Sequence, residues 1–265
     1  MKELGGKVAV VTGGASGIGR AMAEAFRAAG MQVVIADVEE APLQSTAREL
    51  GVYAHRVDVT NAEAMEGLAA DVRSRFGTCH LLCNNAGVGG GGRLEELTLK
   101  DWKWVIDVNL WGVVHGLQAF LPMLLANPDG GHVVNTASMA GLSPLPGAAP
   151  YSATKYAVVG ISETMRAELE GTEVGVSVLC PGFVRTNIFA SQRNRPTELR
   201  NTEKKRAARA ANDEMIRMVE QTAIDPRSVA AMVLDAVREG RFWIFTHPEL
   251  LEPYRQRNRE LHGPC

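Results

Sequence analysis

The 265-residue sequence predicts one doubly wound α/β domain: a parallel sheet with helices on both faces and a single long lid. Three observations predict it. Short β-branched runs alternate with longer amphipathic segments over most of the chain. Each run is apolar on both faces and bounded by Gly, Asp or Asn, as strands buried between two helix layers must be. No proline- or serine-rich linker and no internal repeat breaks the series, so one domain over residues 1–265 is the better count.

The strands fall at 8–12, 32–37, 53–58, 80–84, 132–138 and 174–180. Helix starts are marked between them. Thr60-Asn61-Ala62-Glu63 reads as a capping box, Thr98 with Asp101 plays a similar role, and Asp225-Pro226 sets a cap before a proline at the first helical position. The alternation stops after Cys180. Residues 183–223 hold no clean strand, and a loop of that length in a compact domain reads as a substrate lid. Its basic cluster, Lys204, Lys205, Arg206 and Arg209, reads as a solvated helix face. A helix at 226–239, a last strand at 242–245 and a polar tail to Cys265 complete the chain. Trp111, Val114 and Leu117 are expected in the core.

Hydrophobic residues make up 46% of the chain and charged residues 22%, which suits a globular protein with a sizeable core. A net charge of −2 gives no electrostatic reason to expect nucleic acid or an anionic membrane as partner. The first residues lack a secretory pattern, and apolar runs such as 8–11 and 33–36 are too short to span a bilayer. The four cysteines, Cys79, Cys83, Cys180 and Cys265, are scattered and read as buried thiols of a cytoplasmic protein. Cys79, His80 and Cys83 have no second ligand pair at zinc spacing, so no metal is expected.

The chemistry starts after the first strand. In Thr12-Gly13-Gly14-Ala15-Ser16-Gly17-Ile18-Gly19, Gly13 permits a tight turn, Gly17 a close backbone approach to a pyrophosphate, and Gly19 close packing of helix on sheet. The following helix offers free N–H groups and a positive dipole end to phosphates. The second strand ends in Asp37, placed to bind both hydroxyls of an adenosine ribose. The same carboxylate repels a 2′-phosphate, and neither Ala36 nor Val38 supplies a cation, so the expected cofactor is NAD.

Tyr151 and Lys155 stand four apart on a helical segment and share a face. A free tyrosine, with a pKa of about 10, is a poor base at neutral pH. An ammonium and a positive nicotinamide both favour the phenolate, and a shift of about three units corresponds to roughly 4 kcal/mol. Ser138, ending the fifth strand, is the hydroxyl placed to hold a substrate oxygen.

Together, Thr12-Gly13-x-x-x-Gly17-x-Gly19, Asp58-Val59, Asn84-Asn85-Ala86-Gly87, Asn109, Ser138, Tyr151-x-x-x-Lys155 and Pro181-Gly182 resemble the NAD-preferring short-chain dehydrogenase/reductase family, in order and over nearly the whole chain. The resemblance implies a seven-stranded Rossmann fold with the site at the carboxyl ends of the strands. It implies Tyr151 as general acid/base, Lys155 on the nicotinamide ribose, Ser138 orienting the substrate oxygen, and Asn109 holding a water in a proton relay. It assigns Gly13, Ser16, Gly17, Ile18 and Gly19 to the pyrophosphate, Asp58 and Val59 to adenine, and Asn85-Ala86-Gly87 to the cofactor wall. Pro181, Gly182, Val184 and Thr186 would hold the carboxamide. A homo-oligomer, tetramer or dimer, is also implied.

Residues 88–93, 139–146 and 183–192, expected at the open side of the nicotinamide, carry few charges, which favours an apolar secondary alcohol or ketone as substrate. The run 89–92 is expected to be a flexible entrance. Thr186-Asn187-Ile188 and Phe245-Thr246-His247-Pro248-Glu249 are similar to members that oxidise lignin-type benzylic alcohols. Two alternatives stand against an alcohol dehydrogenase. A non-catalytic NAD-binding regulator would not need the Asn109, Ser138, Tyr151 and Lys155 set. A dehydratase or epimerase of the extended type would need a larger C-terminal domain.

Overall fold

The computed structural model describes residues 1–201 and 222–263. The strands are β1 (Val8–Thr12), β2 (Gln32–Asp37), β3 (Tyr53–Arg56), β4 (Leu81–Asn84), β5 (Gly131–Thr136), β6 (Val174–Cys180) and β7 (Trp243–Phe245). They form a parallel sheet of order β3-β2-β1-β4-β5-β6-β7. The order reverses between β1 and β4, and a crevice opens there beyond the carboxyl ends of the strands.

Side-chain alternation sorts each strand into two cores. Val8 and Val10 join one apolar cluster and Ala9 and Val11 the other; Val34 and Ala36 face away from Val33 and Ile35 in the same way. One face is covered by α1 (Gly17–Ala28), α2 (Glu40–Leu50) and α7 (Pro226–Glu239), through Met22, Phe26, Leu43, Val229 and Val233. The other is covered by α3 (Ala62–Phe76), α5 (Gly112–Leu125) and α6 (Ala149–Glu168), through Met65, Leu68, Phe120 and Val158. Burial on both faces is why these strands read as continuous apolar runs.

The caps hold with one correction. Thr98 and Asp101 form the reciprocal box that opens α4 (Leu99–Ile106), and the Asp225 side chain accepts from Arg227 N at the start of α7. At α3 the cap is Asn61, not Thr60: its side chain accepts from Ala64 N at 3.0 Å, while the Thr60 hydroxyl is drawn to Asp58 at 2.8 Å.

Three further expectations change. Helix α4, a π-helical turn (Asp107–Trp111) and α5 run on without a break, and Leu99–Leu125 is long and apolar enough to cross a bilayer by length and composition, although no shorter apolar run suggests it. Here it packs against α3, α6 and the sheet. Trp111 is half-exposed and stacked on His115, Val114 is partly buried, and Leu117 is partly buried but packs against the core as expected. The polar tail is not extended: Pro248–Leu251 makes a 3-10 turn and α8 (Glu252–His262) follows, docked where Arg257 donates to Leu142 O at 3.0 Å and to the Tyr156 hydroxyl. Cys79, Cys83 and Cys180 are buried and unbridged, with burial pushing the Cys79 thiol up to about 12.

Candidate active site

A cleft of about 1740 Å³ runs along the carboxyl edge of the sheet, from Asp37 at one end to Leu250 and Pro253 at the other. At the first end the chain turns back on itself after β1. Gly13 has φ +65°, and a Cβ there would stand 2.9 Å from Ala86 Cα; one on Gly19 would stand 2.2 Å from Gly13 O. These contacts bind the turn to helix α1 and to the segment after β4, so only glycine fits. Thr12 completes the joint, its hydroxyl accepting from Asn85 N at 2.9 Å and Ala86 N at 3.0 Å. Ser16 opens α1 without capping it through its side chain, and the first turn carries no acidic residue. The helix therefore presents unscreened N–H groups to the cleft, the arrangement that binds phosphate.

Asp37 has two tasks. Its Oδ2 accepts from Ala15 N at 3.1 Å and its Oδ1 from Glu39 N at 3.0 Å, so it ties the glycine turn to its own strand end while facing the cleft. Burial pushes its carboxyl above the usual 3.8, with those backbone N–H groups opposing. Asp58 accepts from Thr60 N at 3.0 Å, and His115 fixes the Val59 carbonyl at 2.9 Å. Thus the segments that end β2 and follow β3 are both anchored by hydrogen bonds within the protein.

The middle of the cleft holds the reactive side chains. Tyr151 and Lys155 project from the first turns of α6 and line the cleft with Ser138, whose hydroxyl donates to Pro181 O at 3.4 Å. Ser138 is fixed by Ala140 N, which donates to its Oγ at 3.1 Å. Lys155 Nζ donates to Thr136 O at 2.8 Å and stands 5.6 Å from the centre of the Tyr151 ring. Burial pushes the phenol above 10.0, with the nearby Ser138 hydroxyl opposing, and brings Lys155 down from 10.5 to about 8. The Lys155 ammonium is directed to the Thr136 carbonyl, and burial is the largest influence on the phenol.

The predicted site residues line this cleft except Gly19 and Asn109, and of the other motif residues Thr12, Gly14, Ala15 and Asn84 do not line it. Gly19 lies behind the turn. Asn109, fully buried in the π-turn, has its Oδ1 on Val88 N at 2.8 Å and its Nδ2 on Val88 O at 3.0 Å. Its side chain clamps the wall and does not line the cleft where a relay water was expected. Gly182 N donates to Thr246 Oγ1 at 3.0 Å, which fixes the loop of Pro181 and Gly182 beside Val184 and Thr186.

The rest of the lining is mixed: Trp104, Phe183, Ile188, Phe189 and Leu250 give it an apolar wall, and Arg93, Glu96, Lys103, Glu198 and Arg200 add charge. The run 89–92 is not a loose entrance: a Cβ on Gly90 would meet Val105 Cγ2 at 2.3 Å and one on Gly91 would meet Gly147 O at 2.3 Å, and Gly89 N donates to Ser191 Oγ at 3.1 Å. The described part of the lid forms 3-10 turns at Asn187–Asn194 and Thr197–Leu199, while Lys204, Lys205, Arg206 and Arg209 lie outside the described residues. Behind it, buried Arg195 donates to Asp101 Oδ1 at 2.7 Å and stacks over Trp104 at 5.2 Å. Sequence reasoning missed Trp104, Arg195, Leu250 and Pro253. Only Asp101 carried a local mark, as a cap, and nothing nearby in sequence pointed to its partner 94 positions on.

A family model described as short chain dehydrogenase matches residues 7–197. The chain belongs to that family. As a short-chain dehydrogenase it is an oxidoreductase with the expected Rossmann-type sheet. It is 34% identical over 261 residues to the C alpha-dehydrogenase of Sphingobium sp. (strain NBRC 103272 / SYK-6), with 95% of this chain and 84% of that one covered. It is 36% identical over 250 residues to the 1-deoxy-11-beta-hydroxypentalenate dehydrogenase of Streptomyces exfoliatus, covering 92% and 84%. Among solved structures, a short chain dehydrogenase/reductase from Burkholderia phymatum in complex with NAD is 42% identical, with TM-score 0.96 over 100% of this chain and 99% of that one. The apo form of LigO from Sphingobium sp. strain SYK-6 is 35% identical, with TM-score 0.82, covering 99% and 90%.

Proposed function

We propose that this short-chain dehydrogenase uses NAD to interconvert an apolar secondary alcohol and its ketone, with Tyr151 as general acid/base. The observation that carries the reading is that Tyr151, Ser138 and Lys155 line one cleft together with a glycine turn and a largely apolar wall. The glycine turn, the uncapped start of α1 and Asp37 fit a dinucleotide: backbone N–H groups for the pyrophosphate and a carboxylate for the adenosine ribose. Asp58 and Val59 would hold the adenine, Asn85-Ala86-Gly87 the ribose side of the wall, and Pro181, Gly182, Val184 and Thr186 the carboxamide.

When bound, the nicotinamide accepts or supplies the hydride at the alcohol carbon. Ser138 holds the substrate oxygen, and Tyr151 takes the hydroxyl proton in oxidation or returns one in reduction. Lys155, already engaged by Thr136 O, is placed to hold the ribose beside the phenol. Burial keeps the phenol protonated, so the positive charge of the oxidised cofactor is the contribution that would favour its loss of a proton. Asn109 supports the wall between Val88 and Lys155, and a place for it in a proton relay is part of this proposal. The aromatic wall of Trp104, Phe183 and Phe189 supports a benzylic or aromatic alcohol as the narrower substrate class. A homo-oligomer, tetramer or dimer, is supported by exposed Trp111 and Leu125 on the outer helices, and a cytoplasmic setting by the unbridged cysteines.

The test is reduction of NAD and consumption of NADH over a panel of aromatic alcohols, steroids and ketones, for wild type and Tyr151→Phe. Turnover should fall by about a hundredfold or more in the variant, within the range general acid–base groups contribute, while NADH binding stays within a few-fold. A variant keeping most of the wild-type kcat would remove the acid/base assignment. NADH binding with no turnover on any member of the panel would favour the regulator.

A further inference from the structure

The adenosine end of the cleft is closed by a residue from the lid. Arg193, near the end of the Asn187–Asn194 turn, reaches Glu39, two positions past Asp37. Its Nε donates to Glu39 Oε1 at 2.8 Å and its Nη2 to Oε2 at 2.6 Å. Two parallel bonds between fork and carboxylate are the strongest arrangement these groups make. The third nitrogen, Nη1, donates to Ala190 O at 2.9 Å, which holds the guanidinium to its own turn. Arg193 holds the Glu39 carboxyl below its usual range, and the charge of Asp37 is among the influences that raise the guanidinium pKa. Both Glu39 and Arg193 line the cleft beside Asp37 and Val38.

The sequence places no cation at the end of β2, but the fold brings one from 154 positions away. A guanidinium at this edge is the group that a 2′-phosphate on the adenosine ribose would require. Arg56, paired with Asp37 in the β2–β3 register, is a different case: it is exposed, stands 3.7 Å from Glu40 and does not line the cleft. We propose that Glu39 is a second cofactor-selecting residue, acting by holding Arg193 in a two-pronged ion pair and so denying that cation to a 2′-phosphorylated dinucleotide. The proposal rests on the NAD reading above. Asp37 repels the phosphate directly; Glu39 occupies the one cleft-lining cation, among the described residues at this edge, that could offset the repulsion.

Removing the Glu39 charge both frees Arg193 and deletes a negative group, and a double change separates the two. The experiment is calorimetric binding of ADP-ribose and 2′-phospho-ADP-ribose, which lack nicotinamide and cannot turn over. The proteins are wild type, Glu39→Gln, Glu39→Ala, and Glu39→Gln with Arg193→Ala, with thermal midpoints confirming that each is folded. Glu39→Gln and Glu39→Ala should tighten 2′-phospho-ADP-ribose relative to ADP-ribose by about tenfold, or about 1.4 kcal/mol. The gain should shrink as salt is raised and vanish in the double variant. An unchanged ratio in both single variants overturns the proposal, and so does a gain that survives without Arg193. A wild type that binds neither ligand overturns the dinucleotide reading, and this inference with it.

Discussion

Asp37 shows how much one side chain can be asked to do at a strand end. Both of its oxygens already accept a backbone N–H, one from the glycine turn and one from the start of α2. A carboxylate has about four acceptor positions, so two remain for the ribose hydroxyls. Asp37→Ser should therefore lose NAD efficiency by about a hundredfold, through charge-assisted bonds that each contribute roughly 1.5–3 kcal/mol. Part of the loss should be a looser turn. Adding Val38→Arg should raise NADP use by supplying a cation at an exposed position. The measurement is kcat/KM for both cofactors with one alcohol; a wild type that prefers NADP, or a double variant whose preference does not move, would show the strand end has been misread. The carboxylate was legible in the sequence because strand-end geometry is local. Its bond to Ala15 was not, because it depends on how the turn folds back.

At the scale of elements, the proposed lid is held by polar pins. Arg195 and Asn201 both donate to Asp101, at 2.7 and 2.8 Å, and Thr98 N adds a third bond at 3.0 Å. Burial alone would raise the Asp101 carboxyl; Thr98 and Arg195 outweigh it and hold it below 3.8. Arg195→Met would remove one of the charge-assisted bonds to this buried carboxylate, a change that costs about 1.5–3 kcal/mol. Amide exchange across residues 187–199 should quicken, and KM for the alcohol should rise while NADH binding holds, because Trp104 and Leu199 shape the substrate end only. In wild type the same amides should slow when cofactor and substrate analogue are both added. Equal exchange in all three states would count against a lid here. The stretch without strand pattern was legible in the sequence, but the pins join Asp101 to residues about a hundred positions away, and no periodicity encodes that.

Across the whole molecule, stability should carry a histidine signature in acid. His132 on β5 is fully buried beside Ser177, whose hydroxyl donates to Arg241 O at 2.6 Å, so His132 Nε2 donates to Ser177 Oγ at 2.7 Å and the ring is neutral. Burial brings its pKa from 6.5 down to about 3. The unfolded chain protonates this ring and the folded one does not, so stability is full above pH 6.5 and is lost as pH falls toward about 3. At about 1.4 kcal/mol per unit, the effect is on the order of 5 kcal/mol. Urea midpoints from pH 7 to 4 should fall more steeply for wild type than for His132→Gln, and parallel curves would refute it. The sequence by itself determined the sheet, the glycine turn, Asp37, and the Tyr151 and Lys155 pair on one helix face, since alternation, turn chemistry and i, i+4 spacing all act over a few residues. Only the tertiary structure decided that Lys155 turns to Thr136, that the side chain of Asn109 is spent on Val88, and that the polar tail returns to wall the pocket. It also decided that Arg193 faces Glu39. Each of these joins groups far apart in the chain, where packing of the two helix layers sets the partner and local preference is silent.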